Sequence, residues 1–396
     1  MPLPNEIHWL THPEAFAPWK DAWRDLLRRS PSPPTPFHNP AWIDGCWRCP
    51  RNRMAVGLIA QGPRLLAGLV FNAETDTGPA LLVPARLLGF TPHISAAHPA
   101  CLVAIADENP PSNIHELLDH AMRYFHWQAL YLNFLNPLNA WLESAVRATA
   151  AARGWIVRDG QASSDAYIDT TGGAAGYLAR RQNQFRGNQR RARNQLAAMG
   201  TVTTVEVART DVPDAAIEAE MCDCFERCWQ RDSISSPLHP TMRPHLFHLL
   251  AGMRATGLLR VYFLRLNDQT LAFEFGFVDR QPGGLYYVCA RGYDEAWKRQ
   301  SPGNLLTEFT LDDTADSGHR GIYLGPIHLG DDNKYKQTWL TDEWPVRNML
   351  IVRPHSAYGL LDACYEKSDL FRRFWWKLQL GRYLRQIYWY LHGPTA

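Results

Sequence analysis

Hydrophobic and polar positions along this chain repeat one figure twice. The run "RMAVGLIAQGPRLLAGLVFNAE" alternates into a strand, breaks at Gln61-Gly62-Pro63 and resumes as a second strand. The run "LLRVYFLRLNDQTLAFEFGFVD" does the same around Asn267-Asp268-Gln269. A helical stretch containing Trp and Arg precedes each hairpin. Further on, each is followed by a helix and a short apolar strand, "WQALYLNFLNP" in the first half and "HRGIYLGPIHLG" in the second. The repeat is of architecture rather than of residues. It predicts an α/β fold of two tandem domains, 1–170 and 171–354. Each is expected to hold a mixed, mostly antiparallel sheet with flanking helices. An aromatic and basic tail, 355–396, follows.

Composition agrees with a folded chain that has ample core material. Of 396 residues, 46% are hydrophobic and 15 are Trp. A formal charge of +2 gives no global pull towards polyanions, so any such contact must be local. No apolar run is long enough to span a membrane, and "MPLPNEIHWL" has no secretory pattern. The expected location is cytoplasmic, or peripheral to the inner membrane face through the tail. Eight Cys in so long a chain do not form a disulfide scaffold. The groups Cys46/Cys49 and Cys222/Cys224/Cys228 lack paired zinc spacing and read as core thiols, so no metal is expected.

Local charge is more informative. Between Asp169 and Glu206 there is no acidic residue, yet Arg180, Arg181, Arg186, Arg190, Arg191 and Arg193 all fall there. Such a helix cannot form internal i,i+4 ion pairs, which points to a phosphate or an acidic surface as its partner. The tail segment "LFRRFWWKLQLGRYLRQIYWYLHGPTA" is basic and aromatic nearly all round its wheel. Two readings suit it: packing against the domains, or contact with a membrane surface.

The richest chemistry lies between Leu285 and Pro326. "LYYVCA" is an apolar strand, "RGYDEAWKRQSPG" a loop, "NLLTEFTLDDTA" an amphipathic helix and "GIYLGP" the next strand. A loop entering a helix N-terminus presents unpaired N–H groups and a positive dipole end, which suit a phosphate. Gly303 marks that start, with Lys298 and Arg299 before it.

This segment resembles the GNAT acyltransferases, in which the strand–loop–helix grips the pyrophosphate of an acyl-coenzyme A. The usual loop pattern is replaced here by Arg299-Gln300-Ser301-Pro302-Gly303-Asn304. That loop is more similar to the cellulose-biosynthesis-associated (CelD/BcsL-like) acetyltransferases, as are Tyr293-Asp294, "PFHNPAW", "LRVYFLRLNDQTLAF" and "YKQTW". The double-domain plan is shared with Fem-type peptidyltransferases, which take amino acids from charged tRNA. The likeness runs from about Trp9 to Pro354.

The resemblance implies a splayed strand pair, Leu285–Ala290 and Gly321–Pro326, holding a thioester. Val288 and Cys289 would face its carbonyl, and Arg299, Ser301, Gly303 and Asn304 its phosphates. Acyl transfer also needs a base and an acid. Alternation along "LAFEFGF" sets Glu274 opposite the Phe face, which makes it the candidate base. Tyr335 stands where many of these enzymes keep an acid. Arg180, Arg181, Arg186, Arg190, His239, Asp294, Lys334 and Lys336 are further candidates for binding substrate or anion, and His328 is a lesser proton carrier. The donor is expected to be acyl-coenzyme A or an acyl carrier protein. Two other readings stand beside this one. The first is transfer from aminoacyl-tRNA docked on the Arg-rich helix. The second is a non-catalytic scaffold held at the membrane by the tail.

Overall fold

The computed structural model describes residues 4–31, 34–49, 52–76, 85–89, 104–107, 112–125, 127, 129–135, 140–159, 163–233, 236–327 and 334–355. His328, and the tail beyond His355, lie outside the described residues.

The strands are β1 (Glu6–Leu10), β2 (Met54–Gln61), β3 (Arg64–Asp76), β4 (Ala85–Gly89), β5 (Ala104–Ala106), β6 (Ala129–Leu135) and β7 (Ile156–Asp159). Then come β8 (Ser163–Asp169), β9 (Val202–Glu206), β10 (Leu259–Leu266), β11 (Gln269–Val278), β12 (Leu285–Tyr293), β13 (Gly321–Ile327) and β14 (Asp342–Val352). Helices α1 (Pro13–Phe16), α2 (Lys20–Arg29), α3 (Pro40–Trp47), α4 (Ser112–Tyr124) and α5 (Ala140–Arg153) belong to the first half. The second half holds α6 (Gly173–Ala179), α7 (Asn183–Ala197), α8 (Asp214–Glu226), α9 (Arg243–Ala255), α10 (Pro302–Asp316) and α11 (Lys334–Trp339).

Both expected hairpins form. β2 and β3 turn between Gln61 and Arg64, where Gly62 takes φ +60°. The second pair, β10 and β11, turns between Leu266 and Gln269, with Asn267 at φ +54°. Asn tolerates that left-handed conformation better than most residues, and here it carries the turn. The sequence of hairpin, strand, helix and strand then recurs as β2/β3–β4–α4–β6 and as β10/β11–β12–α10–β13. In each half the last two strands pair in parallel: Leu87↔Ala129 through Gly89↔Tyr131, and Leu285↔Gly321 through Tyr287↔Tyr323.

The halves share one sheet, in the order β1-β2-β3-β4-β6-β14-β8-β13-β12-β11-β10-β9. Its centre is an exchange. β8, which precedes residue 170, pairs with β13 of the second half. β14 pairs with β8 through Asp342–Val346 and then with β6 of the first half through Arg347–Val352. Three buried layers follow. The Phe273, Phe275 and Phe277 face of β11 packs with Trp23, Phe37 and Trp42 of the first half and with the leucines of α9. α4 and α5 cover the first half's sheet. α6, α7 and α10 close the opposite face of the second half's sheet, over Tyr262, Ala272 and Tyr286. Among the described residues no helix is long and apolar enough to cross a membrane.

Candidate active site

Strands β12 and β13 pair over three residues only and then part. Each carries a bulge at the point of parting. On β12, Phe275 of β11 faces Ala290 while Gly276 faces Val288, so Cys289 is the extra residue. On β13, Tyr323 faces Tyr167 and Gly325 faces Ala166, so Leu324 is the extra residue. A bulge leaves a residue out of the ladder and bends its strand, so two bulges at one level hold the gap open. Gly276 makes the first of them feasible, since a Cβ there would lie 2.0 Å from the Tyr287 carbonyl oxygen.

The gap is the inner lobe of a cleft, with a volume of about 350 Å³. Val288, Cys289 and Ala290 line one side, Leu324 and Pro326 the other, and Phe225, Leu238 and Phe273 add apolar surface. An outer lobe of about 710 Å³ opens beside the start of α10, lined by Lys298, Ser301, Gly303, Asn304 and Lys334. Trp229, Gln230, Arg291 and Tyr335 line both lobes. Trp229 is 45% exposed, an unusual placement for so large an apolar ring.

Arg291 is the hub of this region. Its Nη2 donates to the Gly303 carbonyl at 2.7 Å and to Thr307 Oγ1 at 2.6 Å, and lies 3.4 Å from Glu274 Oε2. Its guanidinium also sits over the Tyr335 ring, 4.8 Å from the centroid. One residue therefore ties β12 to the first turn of α10 and to α11. Sequence reading passed over Arg291. The only signal was an Arg at the end of an apolar strand, just where the bulged segment rejoins β11.

Glu274 holds a different position from the one expected of a base facing a cleft. The alternation was correct, since Phe273, Phe275 and Phe277 form core on one side. The other side, however, is covered by α10. Glu274 is 1% exposed, lines neither lobe, and is paired with Arg291, which lines both. Burial pushes its carboxyl above the usual range, with Arg291, Tyr286 and Thr310 acting the other way. Glu274 Oε1 and the Tyr286 hydroxyl are neighbours without forming a well-directed hydrogen bond.

Tyr335, on α11, does meet both lobes. Burial raises its phenol above the ordinary value while the Arg291 cation opposes the rise, so it is protonated at neutral pH. Lys336 lines the inner lobe and donates to the Pro326 carbonyl at 2.8 Å. Burial lowers its ammonium to about 8, against the attraction of Asp165.

The remaining expected residues divide. Val288, Cys289, Ser301, Gly303, Asn304 and Lys334 line the cleft, while Arg299 is exposed on the turn just before it. The helix begins at Pro302, with Ser301 as its cap at φ +52°, one residue earlier than read. Pro302 has no N–H, and the N–H groups of Asn304 and Leu305 bond back to the Ser301 carbonyl. Gly303 is thus the main first-turn donor, and positive side chains must supply most of the attraction for an anion.

Four expected residues stand outside the lining of the cleft. Arg180 is engaged by Asp169 and the Thr171 carbonyl. Arg181 stacks on Tyr177 and Phe185 and donates to the carbonyls of Thr338 and Leu340. His239 is a turn residue bonded to Thr241 Oγ1. Asp294 is 3% exposed and caps the 295–300 turn while accepting from Arg227 and Gln269. Each of the four is engaged by backbone, hydroxyl or ionic partners nearby, and none lines either lobe. Arg186, Arg190 and Arg191 are exposed on α7, which packs beside that turn. Cys228 donates to the Cys224 carbonyl, and no metal-holding group occurs among the described residues.

Residues 183–337 match the family described as "Acetyltransferase (GNAT) domain". No curated protein matches the sequence significantly. Solved structures are similar along nearly the whole chain. A conserved protein of unknown function from Bacteroides thetaiotaomicron is 10% identical with a TM-score of 0.56, over 88% of this chain and 100% of that one. FemX is 8% identical with a TM-score of 0.56, over 90% and 99%. L-PGS from Bacillus licheniformis is 11% identical with a TM-score of 0.52, over 89% and 96%. The fold is GNAT-like, with the figure repeated in two halves, and the GNAT domain matched over residues 183–337 makes the protein a transferase.

Proposed function

We propose that the second half transfers an acyl group from acyl-coenzyme A to an amine or hydroxyl acceptor, by direct attack on the thioester carbonyl. The observation that carries this reading is the doubly bulged gap between β12 and β13, joined to a cation-lined lobe at the start of α10. In this reading Lys298, Arg299 and Lys334 hold the donor phosphates, with Gly303, Ser301 and Asn304 around them. The pantetheine arm runs past Val288 and the bulged Cys289, which line the gap. Tyr335 protonates the leaving thiolate, and Arg291 fixes Tyr335 against the start of α10. Glu274 acts as a positioning residue behind Arg291. The first half, 1–170, braces this site through β8, which pairs with β13, and β14 pairs with β8 and with β6. The loop, with Tyr293, Asp294, Ser301, Pro302 and Gly303, supports membership of the cellulose-biosynthesis-associated group.

Isothermal titration with coenzyme A, followed by thiol release from acetyl-coenzyme A, tests the reading. Micromolar binding that weakens in Lys298→Glu is expected. Absence of binding and of thiol release would refute it.

One observation favours a second reading, a Fem-type transferase. Arg186, Arg190 and Arg191 form an exposed basic face beside the outer lobe, suited to a polyanionic donor such as aminoacyl-tRNA or an acidic carrier protein. Binding of tRNA that falls steeply with salt, with no coenzyme A binding, would select it.

A further inference from the structure

Direct attack on a carbonyl needs a group that takes the acceptor's proton. Neither lobe, among the described residues, is lined by a carboxylate or a histidine. Glu274, the carboxylate expected as the base, is buried against α10 and ion-paired to Arg291. Arginine stays protonated, and Lys298 and Lys334 belong to the outer lobe. Within the inner lobe this leaves Lys336, Tyr335 and Cys289 as titratable groups besides Arg291. Tyr335 is already assigned to the leaving group. Cys289 points its thiol towards its own strand, at the Tyr287 carbonyl 3.8 Å away.

Lys336 is placed differently. α11 packs against β13 and β8. Nζ is anchored by one hydrogen bond to the Pro326 carbonyl, on the strand that bends away from β12. One contact occupies one of three ammonium hydrogens. Behind it lies Asp165, fully buried and bonded by the Tyr323 hydroxyl.

We propose that Lys336 is the proton acceptor of the transfer, its neutral amine taking the proton from an acceptor seated in the inner lobe between β12 and β13. This rests on the transfer reading above. The step balances as follows. The acceptor X–H bond breaks, with the proton going to Lys336 Nζ and the electron pair remaining on X. The bond from X to the carbonyl carbon forms, and the carbon–sulfur bond breaks. The departing sulfur takes the Tyr335 phenolic proton. The Lys336 ammonium and the Tyr335 phenolate then reset by proton exchange through water. Burial supports the assignment, because it lowers the ammonium to about 8 and leaves a useful neutral fraction near physiological pH. The charged and titratable groups facing Lys336 are Asp165, which raises it, and Arg291, which lowers it. Among the described residues, Tyr335 and Cys289 share its lobe and Tyr323 holds Asp165.

The test follows thiol release from acetyl-coenzyme A, with hydroxylamine as the surrogate acceptor, between pH 6 and 10. It uses the full chain, Lys336→Arg, Lys336→Met and Cys289→Ser. Wild-type kcat/KM should rise with pH through a midpoint near 8 and then level off. Both Lys336 variants should lose roughly 100-fold or more and lose that limb, whereas Cys289→Ser, whatever its effect on the rate, should keep the limb and its midpoint. Titration of 13Cε-labelled lysines should show one resonance with that midpoint, absent in Lys336→Arg. The outcomes separate cleanly. No thiol release by wild type refutes the transfer reading and this step with it. Thiol release that survives in a folded Lys336→Met, or a limb that vanishes in Cys289→Ser instead, refutes the role of Lys336 and leaves the transfer reading standing.

Discussion

Helices α4 and α10 precede the parallel-paired strands β6 and β13 in a repeated topology, yet the charges that come before them in the chain are opposite. Ahead of α10 stand Lys298 and Arg299, and Arg291 reaches into its first turn. Ahead of α4 stands Asp107, 5% exposed at its side chain and held by Arg29 at 2.7 Å and Arg64 at 2.9 Å. Both regions gather arginines on the chain ahead of a helix. In the first half a carboxylate already satisfies them, which makes the cluster a brace. In the second half the cations of the outer lobe face a cleft lined by no acid among the described residues. Repetition of fold therefore does not imply repetition of site, and the sign of the charge that fills each entrance separates the two.

The strongest way to break that comparison is Arg291→Ala. It removes the tie between β12, α10 and Tyr335, and leaves Glu274 buried without its cation. Activity should fall by at least about 100-fold, and stability by on the order of 3 kcal/mol, as when one partner of a buried pair is lost. Arg291→Met with Glu274→Gln removes both charges. It should recover most of the melting temperature and none of the activity. If the double variant regains thiol release, Arg291 is structural only. Next comes Tyr335→Phe, expected to lower kcat by about 100-fold while leaving coenzyme A affinity within about twofold. An unchanged kcat would remove Tyr335 from the chemistry. The matching change in the first half, Asp107→Asn, should cost on the order of 1 kcal/mol in denaturant unfolding and leave donor affinity untouched. A large effect on coenzyme A binding would mean that the first entrance also takes the donor.

Much of this was legible in the chain. The turns at Gly62 and Asn267, the alternation through Phe273, Phe275 and Phe277, and the strand–loop–helix around Ser301 are local patterns, and local patterns survive folding. What escaped is what pairing between distant segments decides. No periodicity announces that β8 joins β13 while β14 crosses to β6. The bulges at Cys289 and Leu324 exist only as a mismatch with β11 and β8. Glu274 was set on the correct face, but whether α10 or open space covers that face is a tertiary fact. Arg180, Arg181 and Asp294 looked like ligands because their type is right, and their local carbonyl and ionic partners could not be counted from the sequence. Lys336 was read as a contact for substrate or anion. Its chemical interest comes from burial in the gap, which only the fold supplies.

The last and smallest effect concerns what keeps the β12–β13 pair in register before it opens. Asp279 accepts from the Leu285 N–H at 2.8 Å and from the Tyr287 hydroxyl at 3.3 Å, the residues that begin and end the three parallel rungs. Burial raises its carboxyl from 3.8 to about 6. A raised acid pKa means that the folded state binds more protons than the unfolded one between those two values. Stability from this group is therefore fully present below pH 4 and is lost as pH rises through 6. Nearby His319 works in the opposite sense, because burial lowers its imidazolium and the folded state there binds fewer protons. Only a comparison with Asp279→Asn isolates the carboxyl, since His319 contributes equally to both proteins. Allowing for relaxation around the buried charge, the wild type should lose on the order of 1 kcal/mol more than Asp279→Asn between pH 4 and pH 7. Urea unfolding at the two pH values measures this directly. Parallel pH slopes for the two proteins would mean that Asp279 is not the titrating brace of the strand pair. If the slopes differ while the thiol-release rate at pH 8 stays the same, the root of the pair sets stability and the open end beyond Tyr287 sets the chemistry.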